Sequence, residues 1–244
     1  MTATFDQAAG AAHQEIRTFH PRRSPLSRAQ REALTHLWPG LGFSIHNPAN
    51  GTPPSHPDGT LDTTALFGRR APVVLEIGSG MGEATVAMAA ADPDRDYLAV
   101  DVHIPGIATL LQRVDTAGVG NVRVAHGDAM TLVREHVAPS SLDAVHVFFP
   151  DPWPKARHHK RRLVQERHVR VLTDRLRPGG TLHCATDWDE YAEQMLTVLT
   201  APGSGLTNPH QGYAPRPPHR PVTKFEQRGL DLGHTVRDVV VHRA

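Results

Sequence analysis

Short apolar runs that alternate with helix-like stretches constrain the fold of this chain more than any other feature. Between residues 73 and 199, five runs have the composition of buried strands, and each is followed by a turn and a stretch with helical spacing of apolar residues. The predicted strands cover residues 73–77, 97–102, 122–125, 142–149 and 181–185, and a last strand covers 236–242. The intervening helices are predicted near residues 84–91, 105–117, 129–137, 163–176 and 190–199. This alternation is typical of an α/β fold with a mostly parallel sheet and helices on both faces.

The length of the chain limits how these elements are organised. Its 244 residues can form one large α/β domain with an appendage, or two small domains. A hydrophobic content of 39% and a charged content of 21% are those of a globular protein and argue against global disorder. We expect residues 1–70 to comprise a mobile N-terminal arm, a short helix capped by Ser27 and a Pro/Gly-rich linker at 39–57. Residues 71–244 are predicted to form the main domain, with a Pro/Gly-rich loop at 201–222.

Cysteine and histidine usage limits the kinds of site that the chain can hold. A single cysteine, Cys184, excludes an intramolecular disulfide and lies in a predicted strand. The seventeen histidines raise the question of a metal site. However, the sequence contains no HExxH motif, no pair of CxxC motifs and no tight run of histidines and carboxylates. We therefore predict no bound metal.

The sequence also bears on where in the cell the protein is found. No apolar stretch is long enough to span a membrane, and residues 1–10 lack the basic and apolar regions of a signal peptide. We therefore expect a cytoplasmic protein without a membrane partner.

The first predicted strand runs into a turn with three alternating glycines, Gly78, Gly80 and Gly82. Glycines at the start of a helix let the backbone come close to a ligand, and the N–H groups of the helix N-terminus then face it. The dinucleotide fingerprint G-x-G-x-x-G is incomplete, because Glu83 occupies the place of its third glycine. The turn alone therefore indicates a nucleotide-type cofactor without identifying it.

Three acidic residues at the ends of successive strands narrow the choice of cofactor. Glu76 interrupts an otherwise apolar strand just before the glycine turn. A carboxylate there favours a cofactor with positive charge, such as S-adenosylmethionine with its sulfonium and amino groups, and would repel a pyrophosphate. Asp101 ends the second strand, where it could bind a ribose diol, and Asp128 follows the third, where it could bind the adenine amine. The alternative, that each acid only caps a loop, requires three such caps at three successive strand ends.

A proline-rich turn, Phe-Pro-Asp-Pro-Trp-Pro-Lys at 149–155, follows the fourth strand. Each proline fixes its own φ and biases the residue before it toward extended geometry, so we expect that Asp151 and Trp153 are not helical. Ligand sites of open α/β sheets lie at the carboxyl ends of strands, so we interpret this turn as an active-site loop. Trp153 either stacks on a nucleic-acid base or packs against the protein.

Two basic segments indicate an anionic partner although the net charge is only +1. Residues 155–177 contain nine Lys or Arg residues against two acids, and residues 17–31 contain five arginines and no acid. Locally concentrated positive charge attracts polyanions such as nucleic acid. For the segment at 155–177, the alternative is a solvated helix face.

Five short motifs together resemble the bacterial tRNA (guanine-N7-)-methyltransferase family. They are Glu-Ile-Gly-Ser-Gly-Met-Gly at 76–82, Phe-Pro-Asp-Pro-Trp-Pro-Lys at 149–155, Arg-His-His-Lys-Arg-Arg at 157–162, Thr-Asp-Trp at 186–188 and Thr-Lys-Phe-Glu at 223–226. The resemblance covers roughly residues 17–243, and the proline turn with its basic tail is its most specific part. It implies a Rossmann-like class I methyltransferase fold, with a mostly parallel, seven-stranded sheet and an antiparallel last strand. Residues 71–244 would then form the S-adenosylmethionine-dependent methyltransferase domain.

The resemblance also implies an activity, which is methyl transfer from S-adenosylmethionine to N7 of a guanine in the variable loop of tRNA. It gives Asp151 the catalytic role. Together with the glycine turn, the expected cofactor-binding residues are Glu76, Gly78, Gly80, Gly82, Asp101, Asp128 and Asp151. The expected substrate-binding residues are Lys155, Asp187, Thr223, Lys224, Phe225 and Glu226, and the expected RNA-binding residues are Arg157, His158, His159, Lys160, Arg161 and Arg162. The expected partner is tRNA, and the chain is expected to be a monomer or a homodimer.

The sequence departs from the family pattern in three places. Ser79 stands where Phe or Cys is more usual, and Asp101 replaces a common Glu. An insertion around residues 47–58 is longer than the resemblance implies. The two substitutions keep the needed chemistry, whereas the insertion has no assigned role.

Three other functions fit parts of the same sequence. The Asp-Pro-Trp-Pro turn also resembles that of methyltransferases acting on amino groups of adenine, cytosine or glutamine, although the long basic segment and residues 223–226 favour the guanine-N7 family. An NAD-dependent oxidoreductase is disfavoured by Glu76 and Glu83. A non-catalytic RNA-binding module is disfavoured by the complete set of cofactor acids.

Overall fold

The computed structural model describes residues 16–19 and 24–244, which form two compact units. The first unit comprises the described residues up to Ala138, except for 16–19. The second comprises residues 16–19 and 139–244. The predicted mobile tail at 1–15, and the part of the basic arm at 20–23, lie outside the described residues. The sequence-based division of the chain at residue 70 stays a prediction.

Four parallel strands form the sheet of the first unit, in the order β1-β4-β3-β2. They are β1 (Gly42–Ser44), β2 (Val73–Ile77), β3 (Asp96–Asp101) and β4 (Val122–His126). Every residue of β2 is buried, as expected for a strand covered on both faces. The register pairs Ile77 with Val100, and Asp101 with His126. The carboxyl ends of β2, β3 and β4 therefore lie at one edge.

The helices of the first unit are α1 (Arg28–His36), α2 (Trp38–Leu41), α3 (Thr63–Phe67), α4 (Glu83–Ala91), α5 (Ile104–Ala117) and α6 (Ala129–Glu135), with a short 3₁₀ turn at Pro48–Asn50. Ser27 caps α1 as predicted. Its hydroxyl accepts a hydrogen bond from the N–H of Gln30 at 3.2 Å, and the Gln30 side chain accepts one from the N–H of Ser27 at 2.9 Å. The Gln30 amide also donates to the carbonyl of Pro105 at 3.1 Å, which attaches α1 to α5.

The second unit has strands in the order β5-β6-β8-β7. They are β5 (Leu142–Phe148), β6 (Leu176–Thr186), β7 (Leu206–Thr207) and β8 (Arg237–Arg243). β5 and β6 are parallel, whereas β8 runs antiparallel to both β6 and β7. The helices are α7 (Glu166–Arg175), α8 (Asp189–Leu199) and α9 (Lys224–Asp231), with a 3₁₀ turn at Ala156–Arg161. Over the described residues of both units, no helix combines the length and apolarity needed to cross a membrane.

All six strands located from the sequence are present, and the last one is antiparallel as predicted. The described residues contain eight strands, one more than the seven that the resemblance implies. The two strands that the sequence did not locate, β1 and β7, are too short to leave a period-two pattern. The predicted linker at 39–57 is wrong over residues 39–44, which form most of α2 and all of β1. The Trp38 indole N–H fixes this region by donating to the carbonyl of Asn50 at 2.7 Å.

One strand boundary and one helix in the second unit also differ from prediction. Strand β6 begins at Leu176 rather than at residue 181, and its pairing with β5 shifts register between Leu142 and Ala144. The predicted stop at residues 177–180 is thus an irregularity inside a strand, which glycine accommodates. Helix α9 was not predicted, because its sequence contains few apolar residues.

Candidate active site

The glycine turn of the first unit joins β2 to α4 in a conformation that requires glycine. Gly78, Gly80 and Gly82 have φ values of 82°, 57° and 75°, in the left-handed region. A Cβ on Gly82 would also lie 2.2 Å from Cδ1 of Leu110. An added Cβ at Gly78 or Gly80 would meet nothing within 4 Å among the described residues, so backbone strain alone opposes a side chain there. The turn therefore keeps its backbone approachable at the first two glycines.

Glu76 is an ionisable side chain inside the core of the first unit, with 3% of its surface exposed. Its Oε2 accepts a hydrogen bond from the Thr85 hydroxyl at 2.5 Å. Burial raises the pKa of Glu76 to about 7; the Thr85 hydrogen bond opposes this rise, and the nearby Asp101 adds to it. Near neutral pH the carboxyl group therefore changes charge readily, and a positively charged ligand would favour its ionised form.

Asp101 fastens the glycine turn to the end of β3. Its Oδ2 accepts the N–H of Gly80, and its Oδ1 accepts the N–H of His103, both at 2.8 Å. Burial raises the pKa of Asp101, against the lowering effect of these backbone hydrogen bonds. Each carboxylate oxygen has a second lone-pair direction, so Asp101 can still accept hydrogen bonds from a ligand.

Asp128 is the N-cap of α6, and its Oδ1 accepts the N–H groups of Met130 at 2.8 Å and Thr131 at 3.1 Å. The loop-cap alternative is therefore correct for this oxygen. The fold nonetheless brings Glu76, Asp101 and Asp128 to the same edge of three neighbouring parallel strands, as the sequence predicts. The ligand contacts assigned to them stay predictions.

Sequence reasoning missed two polar atoms beside the glycine turn. Ser79 Oγ and His103 Nε2 are buried and have no hydrogen-bond partner among the described residues. Buried polar atoms are normally paired, so both fit a site that accepts a polar ligand. Gly106 lets α5 come close to this place, because a Cβ there would lie 2.5 Å from the carbonyl oxygen of Gly80. The departure of Ser79 from the family pattern was the one sequence signal for this feature.

The proline turn of the second unit carries unusual backbone geometry. Phe149 and Trp153, which both precede prolines, have φ values of 50° and 47°. Asp151 and Trp153 are not helical, as predicted, but the left-handed φ of Trp153 departs from the extended geometry that a following proline favours. A left-handed φ in a bulky residue is strained and persists only where neighbouring contacts hold it. The N–H of Phe149 donates to the carbonyl of Ala185 at 2.8 Å, which attaches the start of the turn to β6. Asp151 is half-buried between these two positions.

Contacts around Trp153 favour packing over base stacking. Its side chain is 4% exposed, and its indole N–H donates to the carbonyl of Thr18 at 3.2 Å. The guanidinium of Arg161 lies 3.9 Å from the indole centroid, and its Nε donates to the carbonyl of Arg17 at 3.1 Å. One described piece of the N-terminal arm therefore lies against the proline turn, inside the second unit.

The basic segment at 155–162 divides into an exposed part and a buried part. Lys155, Arg157 and Lys160 are exposed, as a phosphate-binding surface requires. Arg162 is only 1% exposed, and its Nε donates to the carbonyl of Pro152 at 2.8 Å. Its other nitrogens bond the side chains of Gln194 and Glu190 on α8. These contacts indicate that Arg162 holds the turn in place, in contrast to the RNA contact expected from the sequence.

The segment Thr223 to Glu226 forms the start of α9. The Thr223 hydroxyl caps the helix by accepting the N–H of Glu226 at 3.2 Å. The Glu226 carboxylate is buried and accepts two hydrogen bonds from Arg220, at 2.6 and 3.0 Å. Phe225 is 62% exposed, and its ring centroid lies 5.5 Å from that of Phe149. The second unit therefore brings α9 next to the turn that carries Asp151.

Asp187 lies on the loop after β6, and its Oδ2 is 3.0 Å from Nδ1 of His234, just beyond α9. Lys155 and Lys224 complete the predicted substrate set and lie on the proline turn and on α9. The predicted substrate residues thus fall on three segments, which are the proline turn, the end of β6 and α9. Their contacts with a substrate stay predictions.

The glycine turn, the strand-end acids and the α/β architecture are those that a class I methyltransferase requires, and the comparisons show that the chain is a methyltransferase. The model of the family described as "Putative methyltransferase" matches residues 70–239. A tRNA (guanine-N(7)-)-methyltransferase of Streptomyces avermitilis is 54% identical over 98% of this chain and 79% of its own length. One of Nitrosomonas eutropha is 48% identical over 96% of this chain and 99% of its own length. The chain belongs to the tRNA (guanine-N(7)-)-methyltransferase family.

Solved structures agree on the fold. The 16S rRNA methyltransferase KamB aligns with a TM-score of 0.55 and 15% identity, over 76% of this chain and 94% of KamB. TrmN from Thermus thermophilus aligns with a TM-score of 0.50 and 18% identity, over 74% of this chain and 47% of TrmN. At such identities the likeness concerns the fold alone, and the predicted Rossmann-like class I methyltransferase fold is confirmed.

Proposed function

We propose that this chain transfers a methyl group from S-adenosylmethionine to N7 of a guanine in the variable loop of tRNA, giving 7-methylguanosine. The observation that carries the proposal is 48–54% identity, over 96–98% of the chain, to bacterial relatives named as tRNA (guanine-N(7)-)-methyltransferases. A tRNA substrate also accords with the expected cytoplasmic location.

The carboxyl edge of β2, β3 and β4 fits S-adenosylmethionine. When bound, this cofactor supplies an electrophilic methyl group on a positively charged sulfur. The buried Glu76 carboxylate would face positive charge, while Asp101 and Asp128 would accept hydrogen bonds from the ribose hydroxyls and the adenine amine. The glycine turn would let the backbone approach the cofactor, and Ser79 Oγ and His103 Nε2 would gain polar partners.

The chemistry of guanine explains why no general base is needed. N7 carries an in-plane lone pair, so it can attack the methyl group without first losing a proton. Positive charge moves onto the purine during the transfer. Asp151, as a fixed carboxylate that accepts hydrogen bonds from the N–H edge of guanine, would stabilise this charge where it develops. In-line positioning of N7 would supply much of the remaining rate enhancement.

The second unit offers surfaces for tRNA. The exposed Lys155, Arg157 and Lys160 would bind phosphates, which makes affinity fall with rising salt. Phe225 is exposed beside Phe149 and could stack on a base at the target site. Thr223 and Glu226 would contribute by fixing the start of α9, which presents Lys224 and Phe225.

Labelled methyl transfer to unmodified tRNA transcripts, followed by nucleoside analysis, tests the proposal. The wild type should give 7-methylguanosine. With cofactor and tRNA at saturating concentrations, Asp151→Asn should transfer the methyl group at least about 100-fold more slowly, the usual loss when one electrostatic contact to the transition state is removed. The exposed Asp115→Asn is the matched control and should behave as the wild type.

Two results would contradict the proposal. Label in a different nucleoside would indicate one of the amino-group methyltransferases. Absence of label from all tRNA, with the cofactor still bound, would exclude tRNA as the acceptor.

A further inference from the structure

Three histidines of the second unit converge, although they lie on segments far apart in the sequence. His146 on β5 and His183 on β6 are direct register partners, and His219 approaches from the loop before α9. One ring nitrogen from each lies within 4.8 Å of the others. His146 and His183 are buried, whereas His219 is exposed. We call this group the histidine cluster.

One histidine of the cluster, His183, lies next to a carboxylate of the kind that commonly orients metal-binding histidines. His183 Nδ1 lies 3.1 Å from Nε2 of His219, and His183 Nε2 lies 2.7 Å from Oδ1 of Asp238. A carboxylate that accepts the N–H of one ring nitrogen leaves the lone pair of the other nitrogen directed at the ion. Two nitrogens bound to one tetrahedral zinc ion lie about 3.3 Å apart, close to the observed 3.1 Å.

The buried side chains beside the histidine cluster carry more negative than positive charge. Arg220 bonds Asp238 through two nitrogens at 2.7 and 2.9 Å, and it also bonds Glu226. All three side chains are buried. Two carboxylates against one guanidinium leave one negative charge beside the histidine cluster. Burying net charge is costly unless it is compensated, and a cation among the histidines would compensate it.

We propose that His146, His183 and His219 bind one divalent transition-metal ion of the zinc class. Neutral imidazoles suit zinc and its neighbours rather than magnesium or calcium, which prefer oxygen ligands. The exposed His219 provides the route from solvent. The ion would connect β5 and β6 to the loop that carries Arg220, and Arg220 in turn holds Glu226 at the start of α9. The bound ion would therefore fix the position of α9.

The competing explanation is a hydrogen bond alone, with Nε2–H of His219 donating to Nδ1 of His183. Metal titration separates the two. The full chain, purified without a histidine tag and treated with a chelator, is titrated with Zn(II) in a calorimeter and with Co(II) while visible d–d absorption is followed. We expect one saturable site per chain. Zinc should also raise the thermal unfolding midpoint, because it binds the folded state preferentially.

Two variants locate the site. His219→Ala removes an exposed ligand without disturbing the core and should weaken Zn(II) binding at least about tenfold. His210→Ala removes an exposed histidine of the same loop, outside the cluster, and should bind as the wild type does. The proposal is overturned if the wild type takes up neither metal, if His219→Ala binds as tightly as the wild type, or if His210→Ala loses as much affinity as His219→Ala. None of these readouts involves methyl transfer, so they are independent of the proposed activity.

Discussion

At the scale of single residues, burial of Glu76 makes the stability of the first unit depend on pH. The carboxyl group is held against Thr85 inside the sheet, and burial raises its pKa to about 7. The folded state therefore holds this proton more tightly than the unfolded chain does. The stabilisation from this group is fully present below the unfolded pKa of 4.5 and is lost as pH rises through about 7.

Glu76→Gln should remove this pH dependence. Without cofactor, the variant should be more stable than the wild type by up to about 3 kcal/mol at pH 8, because the wild type must bury a charge there. At pH 4 to 5 the two should be nearly equal in stability. Urea unfolding at both pH values measures the difference. The exposed Glu135→Gln serves as the control, and a wild type whose stability does not fall relative to Glu76→Gln between these pH values would contradict the assignment.

The same group predicts the pH dependence of cofactor binding. If the ionised Glu76 faces the positive charge of S-adenosylmethionine, the affinity should fall about tenfold per pH unit below pH 7 and level off above it. Calorimetric titration between pH 5.5 and 8.5 measures this slope. In Glu76→Gln the affinity should be lower and the slope should vanish. A variant that keeps the wild-type slope would mean that another group titrates.

At the scale of elements, the proline turn is held by contacts from several segments. Trp153 and Arg161 bond the carbonyls of Thr18 and Arg17, while Arg162 ties the turn to α8. These contacts stabilise the left-handed φ of Trp153, which an isolated Trp-Pro sequence would avoid. The turn is thus a preorganised element, which its proposed catalytic role requires.

Trp153→Ala should destabilise the protein by about 3–5 kcal/mol, as expected for removal of a buried indole. The matched control Trp188→Ala removes an indole that is 40% exposed and should cost about 1 kcal/mol. Denaturant unfolding measures both effects. If Trp153 instead served as a base-stacking platform, Trp153→Ala would keep its stability and lose only tRNA affinity.

The basic segment should separate into binding and structural residues. A double variant, Arg157→Ala with Lys160→Ala, should weaken tRNA binding and lower the slope of log K against log salt by about one for each phosphate that the variant no longer neutralises. Its stability should be unchanged, because both side chains are exposed. Filter binding at several salt concentrations measures the slope, and the exposed Arg70→Ala, which lies outside both basic segments, provides the control. An unchanged slope in the double variant would remove the segment from the RNA interface.

At the scale of the whole molecule, the sequence predicts those strands whose burial leaves a pattern in their own residues. Strands such as β2 are recognisable because both faces are covered, and the shared edge of Glu76, Asp101 and Asp128 follows from parallel pairing. Strands β1 and β7 escape prediction because distant partners, rather than their own composition, make them strands.

Dependence on partners that are distant in the sequence also limits prediction of the site. Arg162 can be buried because Glu190 and Gln194 of α8 accept hydrogen bonds from its guanidinium. Glu226 can be buried because Arg220 donates hydrogen bonds to its carboxylate. Nothing in the local sequence marks either residue as structural rather than substrate-facing. The histidine cluster is hidden for the same reason, since its members are brought together only by the register of β5 and β6 and by a loop.

The most direct test of the proposed reaction replaces one atom of the substrate. A tRNA whose target guanine is 7-deazaguanine has a C–H group in place of N7 and keeps the same Watson–Crick edge. We predict that the enzyme binds this tRNA with unchanged affinity and transfers no methyl group to it, while the unmodified transcript is methylated. Methyl transfer to the 7-deaza tRNA at the rate of the unmodified transcript would show that N7 is not the acceptor, and would contradict the proposed reaction.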